Sequence, residues 1–361
     1  MQIALHVGQL QQPVPGGIAR YVRALLRELP KHDVQAHAFA AGSRPRSIAG
    51  DYDDLGWPHG SMRYEAWHRA RRPTVRTSGA LVHAPSLAIP PVRGRPLVVT
   101  AHDVAFHRFP QVTTRRGRAF HERGLALARN HADIVIAPSQ FTRGELIDLG
   151  IPEHRVRVAY LGTDPAEAVD QQDVERRLRE LRVERPFLLT VGTVEPRKRL
   201  QHLVTAHQQL RREFPDLELL IVGPPGWGNV GSLEGAGVRR MGALPWPYID
   251  ALYRKALLCA ISSVYEGFGL PAVEAMNRGC PVVAARGSAV EEVLGSVGRT
   301  VKPDDANDLA EALRAFISDD AARSIASAAG IKRAVNFTWS ACIAKHVEIY
   351  RGLVGDFATL T

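Results

Sequence analysis

Residues 262–279 read SSVYEGFGLPAVEAMNRG, with Glu266 and Glu274 on either side of a Gly-Phe-Gly bend and seven residues between them. The run ahead of it, LLCAIS, is short and apolar, as a buried strand is. The run behind it, LPAVEAMNRG, places Pro271 where a first helical turn accepts it and Gly279 just past the end, where a helix cap wants glycine. Glu266 therefore belongs to a strand-to-helix loop, and Glu274 lies about one turn into the helix. Open α/β sheets bind ligands at the carboxyl ends of their strands, so this loop is where a site is expected.

Working outward, short apolar strands alternate with helical patterns along the whole chain, which argues α/β architecture with parallel sheets and crossover helices. A first series comprises QIALHVG, ALVHAPS, RPLVVTAHDV, DIVIAPS and VRVAYLG; a second comprises FLLTVGT, LELLIVGPPG, VRRMGAL, LLCAIS and PVVAARG. Ile18, Tyr21, Val22, Leu25, Leu26 and Leu29 give a helical stripe after the first strand. The polar stretch from Thr163 to Pro186 reads as a linker with a short charged helix. The 361 residues thus divide into two Rossmann-like doubly wound domains, 1–165 and 166–335, facing across a cleft. A last amphipathic helix, within 336–361, is expected to pack back toward the first domain. Ser43 to Ser78 lacks clean periodicity and reads as loops and short helices.

Composition is that of a globular protein, with 45% hydrophobic and 23% charged residues. No apolar run of about 18 residues is present to span a bilayer, and the start MQIALHVGQL lacks the basic region of a signal peptide. A cytoplasmic location is expected. Cys259, Cys280 and Cys342 are widely spaced and read as reduced structural thiols. No His and Cys cluster has metal-ligand spacing, and DYDD (51–54) reads as a solvated loop, so neither cofactor nor metal is expected. The net charge is +9, and all of it falls before residue 166, where 22 Lys and Arg face 13 Asp and Glu. A basic chain without a recognition motif is weak support for nucleic-acid binding.

Four constellations carry chemistry. Gly16-Gly17 opens the first helix, where backbone amides can approach an anion. Arg197 and Lys198, in VGTVEPRKRL, head a helix and suit a diphosphate through charge pairing and forked hydrogen bonds, the alternative being a solvated basic turn; on a cleft surface their loss would change stability little. His102 closes an apolar strand in TAHDVAFHRFP and suits a sugar hydroxyl or a structural main-chain partner. In the opening stretch, Glu266 and the amides of Phe268, Gly269 and Leu270 suit a sugar and a phosphate. The Glu274 carboxylate can accept two ribose hydroxyls. Two cations, two carboxylates and a row of amides describe a nucleotide-sugar site.

EGFGLPAVEAMNRGCPVVAARGSAVEEV, with VGTVEPRK, PGGIARY, AHDVAFHRFP and APSQFTRGEL in the same order, resembles the retaining GT-B glycosyltransferases of family 4. The resemblance runs from about Gln2 to Arg351. It implies that Glu266 lies close to the donor sugar, Glu274 on the ribose, Arg197 and Lys198 on the diphosphate, and Gly16 and Gly17 in the diglycine loop. It implies His102 as the family's cleft histidine, and Gly242, Ala243 and Leu244 as backbone partners of the base. Glu292 matches a further helix-cap carboxylate. SVGRTVKPDD departs from the family's usual Gly-Asp-Ala-Gly run, and Arg199 stands where Asn or Gly is commoner. The activity implied is retaining hexosyl transfer from a nucleotide-diphosphate sugar to a glycan or lipid-linked acceptor, with a lean to GDP-mannose and with UDP-glucose and UDP-N-acetylglucosamine as the other donors. A nucleotide-sugar epimerase and an inactive sugar-nucleotide-binding relative are the alternatives. The acceptor half carries the basic excess. Arg115, Arg116, Arg118, Arg123 and Arg129 on one helix, and Arg69, Arg71, Arg72 and Arg76 beside Trp57 and Trp67, suggest peripheral docking at the inner face of the membrane.

Overall fold

The computed structural model describes residues 1–11, 16–45, 48, 50–57 and 60–360; Pro15 of the PGGIARY motif lies outside them. In chain order the first part is β1 (Gln2–His6), α1 (Gly17–Glu28), β2 (Gln35–Ala40), β3 (Tyr52–Asp54), α2 (Gly60–Ala70), β4 (Val82–Ala84), β5 (Leu97–Thr100), α3 (Ala105–Arg108), α4 (Arg115–His131), β6 (Ile134–Ala137), α5 (Gln140–Asp148) and β7 (Val156–Val158). The second part is α6 (Gln171–Glu180), β8 (Phe187–Val191), α7 (Leu200–Leu210), β9 (Glu218–Val222), β10 (Val238–Gly242), α8 (Trp246–Lys255), β11 (Leu258–Ile261), α9 (Leu270–Asn277), β12 (Val282–Ala285), α10 (Ala289–Leu294), β13 (Arg299–Val301), α11 (Ala306–Ile317) and α12 (Asp320–Ala334). The chain ends in α13 (Trp339–Leu360).

Two compact units result: Met1–Gly162 with Trp339–Thr361, and Thr163–Thr338. Each holds one parallel sheet, ordered β3-β2-β1-β4-β5-β6-β7 in the first unit and β10-β9-β8-β11-β12-β13 in the second. The central strands are fully buried and mostly apolar, as strands covered by helices on both faces must be. Each order reverses once, between β1 and β4 and between β8 and β11. Successive crossovers leave opposite faces at such a point, and the loops beyond the strand ends part to form a crevice.

Three strands escaped the sequence pattern. β2 (QAHAFA) is buried only in its second half, and β13 (RTV) is mostly exposed. DYDD, expected as a loop, supplies the edge strand β3, paired in parallel with β2 through Ala38↔Tyr52 and Ala40↔Asp54. An edge strand tolerates charge because one side of it faces solvent. The stretch expected as loops and short helices also contains the 11-residue α2, whose Trp67 is completely buried.

Candidate active site

In the second unit, β8 and β11 are neighbours, so the loops that follow them meet. The loop after β8 turns through Gly192 into a short 3-10 turn, Pro196–Lys198. The loop after β11 carries Ser262 to Gly269. The two are joined by main-chain and side-chain bonds: Val264 N–H donates to Arg197 O at 3.0 Å, and Ser262 Oγ–H donates to Lys198 O at 2.7 Å. Residues 64 positions apart are thereby fixed together.

The charged groups at this junction form one cluster. Lys198 Nζ lies 2.7 Å from Glu266 Oε1, and Arg197 Nη1 lies 2.9 Å from Glu266 Oε2. Arg197 Nη1 also donates to Tyr265 O at 2.6 Å, and its Nε and Nη2 converge on Glu195 Oε1 at 2.9 and 2.5 Å. Glu195 and Glu266 are both buried. Burial alone would raise the Glu266 pKa. The positive charges of Arg197 and Lys198, with hydrogen bonds from Lys198 and Ser263, outweigh it and hold the pKa at about 2. Two cations and two carboxylates thus balance locally. The alternative of a solvated basic turn does not hold: both cations are mostly buried and both are held by carboxylates, so their loss bears on stability as well. Lys198 commits one of its three N–H donors to Glu266.

Gly269 caps α9 in the left-handed region at φ 99°. A side chain there would press on Val290 at 3.2 Å, so the bend requires glycine. The Leu270 amide that follows lies in the first turn, where no intrahelical acceptor is in reach, and it sits at the positive end of the helix dipole. Pro271 has no N–H, and the Ala272 and Val273 amides donate to Gly269 O at 2.9 and 3.4 Å. Phe268 is buried with its ring 5.7 Å from Phe337. Glu274 is not on the helix surface. It is 1% exposed, and the Tyr253 hydroxyl of α8 donates to its Oε2 at 3.1 Å. Gly242 ends β10 at φ 67° with open space around its Cα, and Ala243 and Leu244 follow it, two strands away from the β8/β11 junction. Glu292 lies in α10.

In the first unit, Gly16 is the N-cap of α1 with extended backbone, exposed and uncrowded, and Gly17 begins the helix. His102 follows β5 and is half-buried. Its Nε2 lies 2.9 Å from Pro85 O. A carbonyl only accepts, so Nε2 carries the proton and Nδ1 presents a lone pair. Burial lowers the His102 pKa, against the opposing influence of the Pro85 carbonyl and Asp103. The basic residues are not uniform. Arg69 and Arg123 both pair with Glu65, Arg118 with Glu122, and Arg71 donates to the carbonyls of Trp67, Ile89 and Pro90.

Sequence reasoning missed Glu195, although VEPRK contains it. A glutamate two residues before an arginine is an ordinary sequence, and only the fold of the turn reveals the pair. Tyr253 was likewise silent, because its partner Glu274 lies 21 positions away.

Two doubly wound parallel units of this kind are the architecture of GT-B glycosyl-transferring enzymes. The description "Glycosyl transferases group 1" matches residues 171–333, and "Glycosyltransferase Family 4" matches residues 15–167. O-antigen chain mannosyltransferase B of Escherichia coli is 29% identical over 291 residues, covering 75% of this chain and 74% of that protein. MMP alpha-(1->4)-mannosyltransferase of Mycolicibacterium hassiacum is 30% identical over 285 residues, covering 73% and 67%. Among solved structures, Anabaena HepE in complex with UDP and glucose superposes with a TM-score of 0.77 at 22% identity, covering 98% of this chain and 100% of that one. Sucrose-phosphate synthase from Thermosynechococcus elongatus gives 0.75 at 22% identity, covering 99% and 100%. The chain belongs to the family 4 (group 1) glycosyltransferases and has their GT-B fold.

Proposed function

We propose that the protein is a retaining hexosyltransferase whose nucleotide-sugar donor binds the second unit at the β8/β11 junction. The observation that carries this reading is the Glu195–Arg197–Glu266–Lys198 cluster in the loop that leads into the N-terminus of α9. In the proposal, Lys198 and Arg197 meet the diphosphate, joined by the amides of Phe268, Gly269 and Leu270. Glu266 lies beside the hexose, Glu274 takes the ribose hydroxyls, and the main chain of Gly242, Ala243 and Leu244 holds the base. His102, Gly16 and Gly17 serve the reaction from the first unit, with His102 Nδ1 accepting from a sugar hydroxyl.

The chemistry follows from charge. As the bond from the anomeric carbon to the diphosphate breaks, negative charge grows on the leaving oxygen. Preorganised cations and amides stabilise that charge without reorganising. The acceptor hydroxyl attacks the same face, and the departing phosphate takes its proton, so configuration is retained without a covalent enzyme intermediate. Arg197 and Lys198 supply the electrostatic role that a metal ion plays elsewhere, so transfer should survive excess chelator. The mannosyltransferase relatives favour GDP-mannose as donor and a glycan or lipid-linked acceptor. The test is a panel of nucleotide sugars with release of nucleotide followed, and the product's anomeric configuration read by NMR. GDP-mannose turnover with retention supports the reading. Release from no donor, or inversion, overturns it.

A further inference from the structure

A buried polar chain runs through the first unit. Tyr350 Oη and His83 Nδ1 are 2.8 Å apart. His83 Nε2 and Thr100 Oγ1 are 2.9 Å apart, as are Thr100 Oγ1 and Tyr21 Oη. Tyr21 Oη is 2.5 Å from His346 Nε2, and His346 Nδ1 is 2.8 Å from Cys342 O. All five side chains are at most 1% exposed. They come from α13, β4, β5 and α1.

The direction of every proton in this chain is fixed by its last member. Cys342 O is a carbonyl and only accepts, so His346 Nδ1 carries a hydrogen. With that imidazole neutral, Nε2 is an acceptor and Tyr21 donates to it. The Tyr21 oxygen then accepts from Thr100, whose single hydrogen is thereby spent. Thr100 must accept from His83 Nε2–H, which leaves His83 Nδ1 to accept from Tyr350. The titratable groups facing these imidazoles are Tyr21 on α1, His102 after β5, and Cys342 and Tyr350 on α13. None is a carboxylate, so nothing nearby rewards a charged imidazole. Burial keeps both rings uncharged near neutrality, His346 at about 4 and His83 well below its usual value.

At Tyr21 this chain meets His102. The Tyr21 ring meets the His102 ring edge-on, with centroids 5.1 Å apart. The other restraint on His102 is Pro85 O, two residues beyond His83. Tyr21 also lies one turn into the helix that Gly16 and Gly17 open.

We propose that Tyr21, His83, His346 and Tyr350 are positioning residues: one directional hydrogen-bond chain, closed by the C-terminal helix, holds Tyr21 against His102 and sets the orientation of that imidazole. Removing the C-terminal helix's two contributions would then alter a residue outside that helix that takes part in transfer. The inference rests on the reading of His102 as a site residue.

The test uses the full chain labelled with 15N at histidine. Long-range 1H–15N correlation should show His83 and His102 as Nε2–H tautomers and His346 as the Nδ1–H tautomer, the form less common in solution. Tyr21→Phe keeps the ring but removes the central hydroxyl. It should shift the His102 nitrogen resonances and lower turnover about tenfold to a hundredfold, the scale of a small misplacement of a reacting group. Affinity for GDP and UDP, read by calorimetry, should stay at the wild-type value. Tyr350→Phe, which removes only the first link, should perturb His83 and lower turnover less; it serves if Tyr21→Phe fails to fold. His346 found as Nε2–H, or Tyr21→Phe with wild-type His102 resonances and turnover, overturns the proposal. A wild-type protein that releases nucleotide from no donor defeats the proposed reaction instead, and the tautomers and His102 resonances still decide this one.

Discussion

Lys198 Nζ reaches from the loop after β8 to Glu266 Oε1 in the loop after β11, 2.7 Å away. That contact makes the two loops one structural object. It also means that Lys198 cannot be removed without consequence for the fold, because a buried carboxylate loses a partner. Breaking a buried pair on one side costs about 3–5 kcal/mol, partly relieved here by Arg197. Lys198→Met should therefore lower both stability and turnover. Lys198→Met with Glu266→Gln should recover most of the stability and none of the turnover. Denaturant unfolding and nucleotide-release assays on the three variants check this. Full stability in Lys198→Met alone would contradict the pairing. The depressed Glu266 pKa adds a pH signature: its contribution is fully present above about 4.5 and is lost as pH falls toward about 2.

The two glutamates of the opening motif should separate by function. Glu274→Gln keeps an oxygen for the Tyr253 hydroxyl, so the fold is preserved, but it removes the anionic acceptor for ribose hydroxyls. Free nucleotide should bind more weakly, by about 1–3 kcal/mol for lost hydrogen bonds to a charged group. Glu266→Gln should leave nucleotide affinity nearly unchanged and depress transfer. Calorimetry that finds equal losses in both variants would reject this division.

The loop-and-helix context of Glu266 was legible because local signals agree there: an apolar strand, a Gly-Phe-Gly bend, Pro271 and Gly279. Both sheets were legible from their buried central strands, whose runs are mostly apolar. β2, β3 and β13 were not, because edge and near-edge strands need no continuous apolar run, and DYDD carries charge on the solvent side. The balance of charge around Arg197 was also hidden. Sequence shows which side chains are ionic, whereas only the adjacency of β8 and β11 determines that Glu266 returns to neutralise Lys198. The same limit applies to Trp67, which looked like an interfacial aromatic and is a core residue of α2.

Acid should loosen the first unit before the second. His6, His68 and His346 are held at about 4, with burial the leading cause, and His83 and His102 are lowered as well. In the second unit His207 is the comparable case. An imidazole with a depressed folded pKa binds its proton only in the unfolded chain at mildly acidic pH. The stability it confers is complete above about 6.5 and declines as pH falls from there toward about 4, by up to about 1.4 kcal/mol per pH unit for each group. Thermal unfolding followed at pH 7.5, 6 and 5 should show an early transition exposing Trp67 of the first unit. A transition unchanged down to pH 5 would contradict the buried neutral imidazoles.

Gly223 should resist substitution although it binds nothing in the proposal. Its φ is 149°, and a Cβ there would lie 1.9 Å from Gly192 O. Gly192 in turn packs against Lys198, with a Cβ position 3.1 Å from Nζ. Gly223→Ala must displace the Gly192 turn, at a cost of about 1–3 kcal/mol in backbone strain, and Lys198 moves with it. The expected result is reduced stability together with reduced turnover. An alanine variant with normal unfolding and normal kinetics would show that the two turns do not press on one another.

Membrane docking of the first unit becomes a narrower proposal once the structure is read. Arg69, Arg118 and Arg123 are paired with carboxylates, Arg71 is spent on main-chain carbonyls, and Trp67 is buried. Of the nine arginines in the two basic clusters, Arg72, Arg76, Arg115, Arg116 and Arg129 are exposed with no carboxylate partner among the described residues, and Trp57 is 77% open. A basic side chain near an anionic bilayer contributes roughly 1 kcal/mol, so a few such arginines give reversible association that salt should weaken. We propose that exposed arginines of this unit, Arg115 and Arg116 at the start of α4 among them, make the contact that brings the enzyme to a lipid-linked acceptor. Wild-type protein should co-sediment with vesicles containing phosphatidylglycerol at low salt, less at high salt, and not with phosphatidylcholine alone. Arg115→Glu with Arg116→Glu should markedly weaken sedimentation while leaving transfer to a short soluble acceptor analogue unchanged. Sedimentation undiminished in the double variant would move the contact elsewhere on the unit, and no sedimentation of the wild type at low salt would eliminate docking.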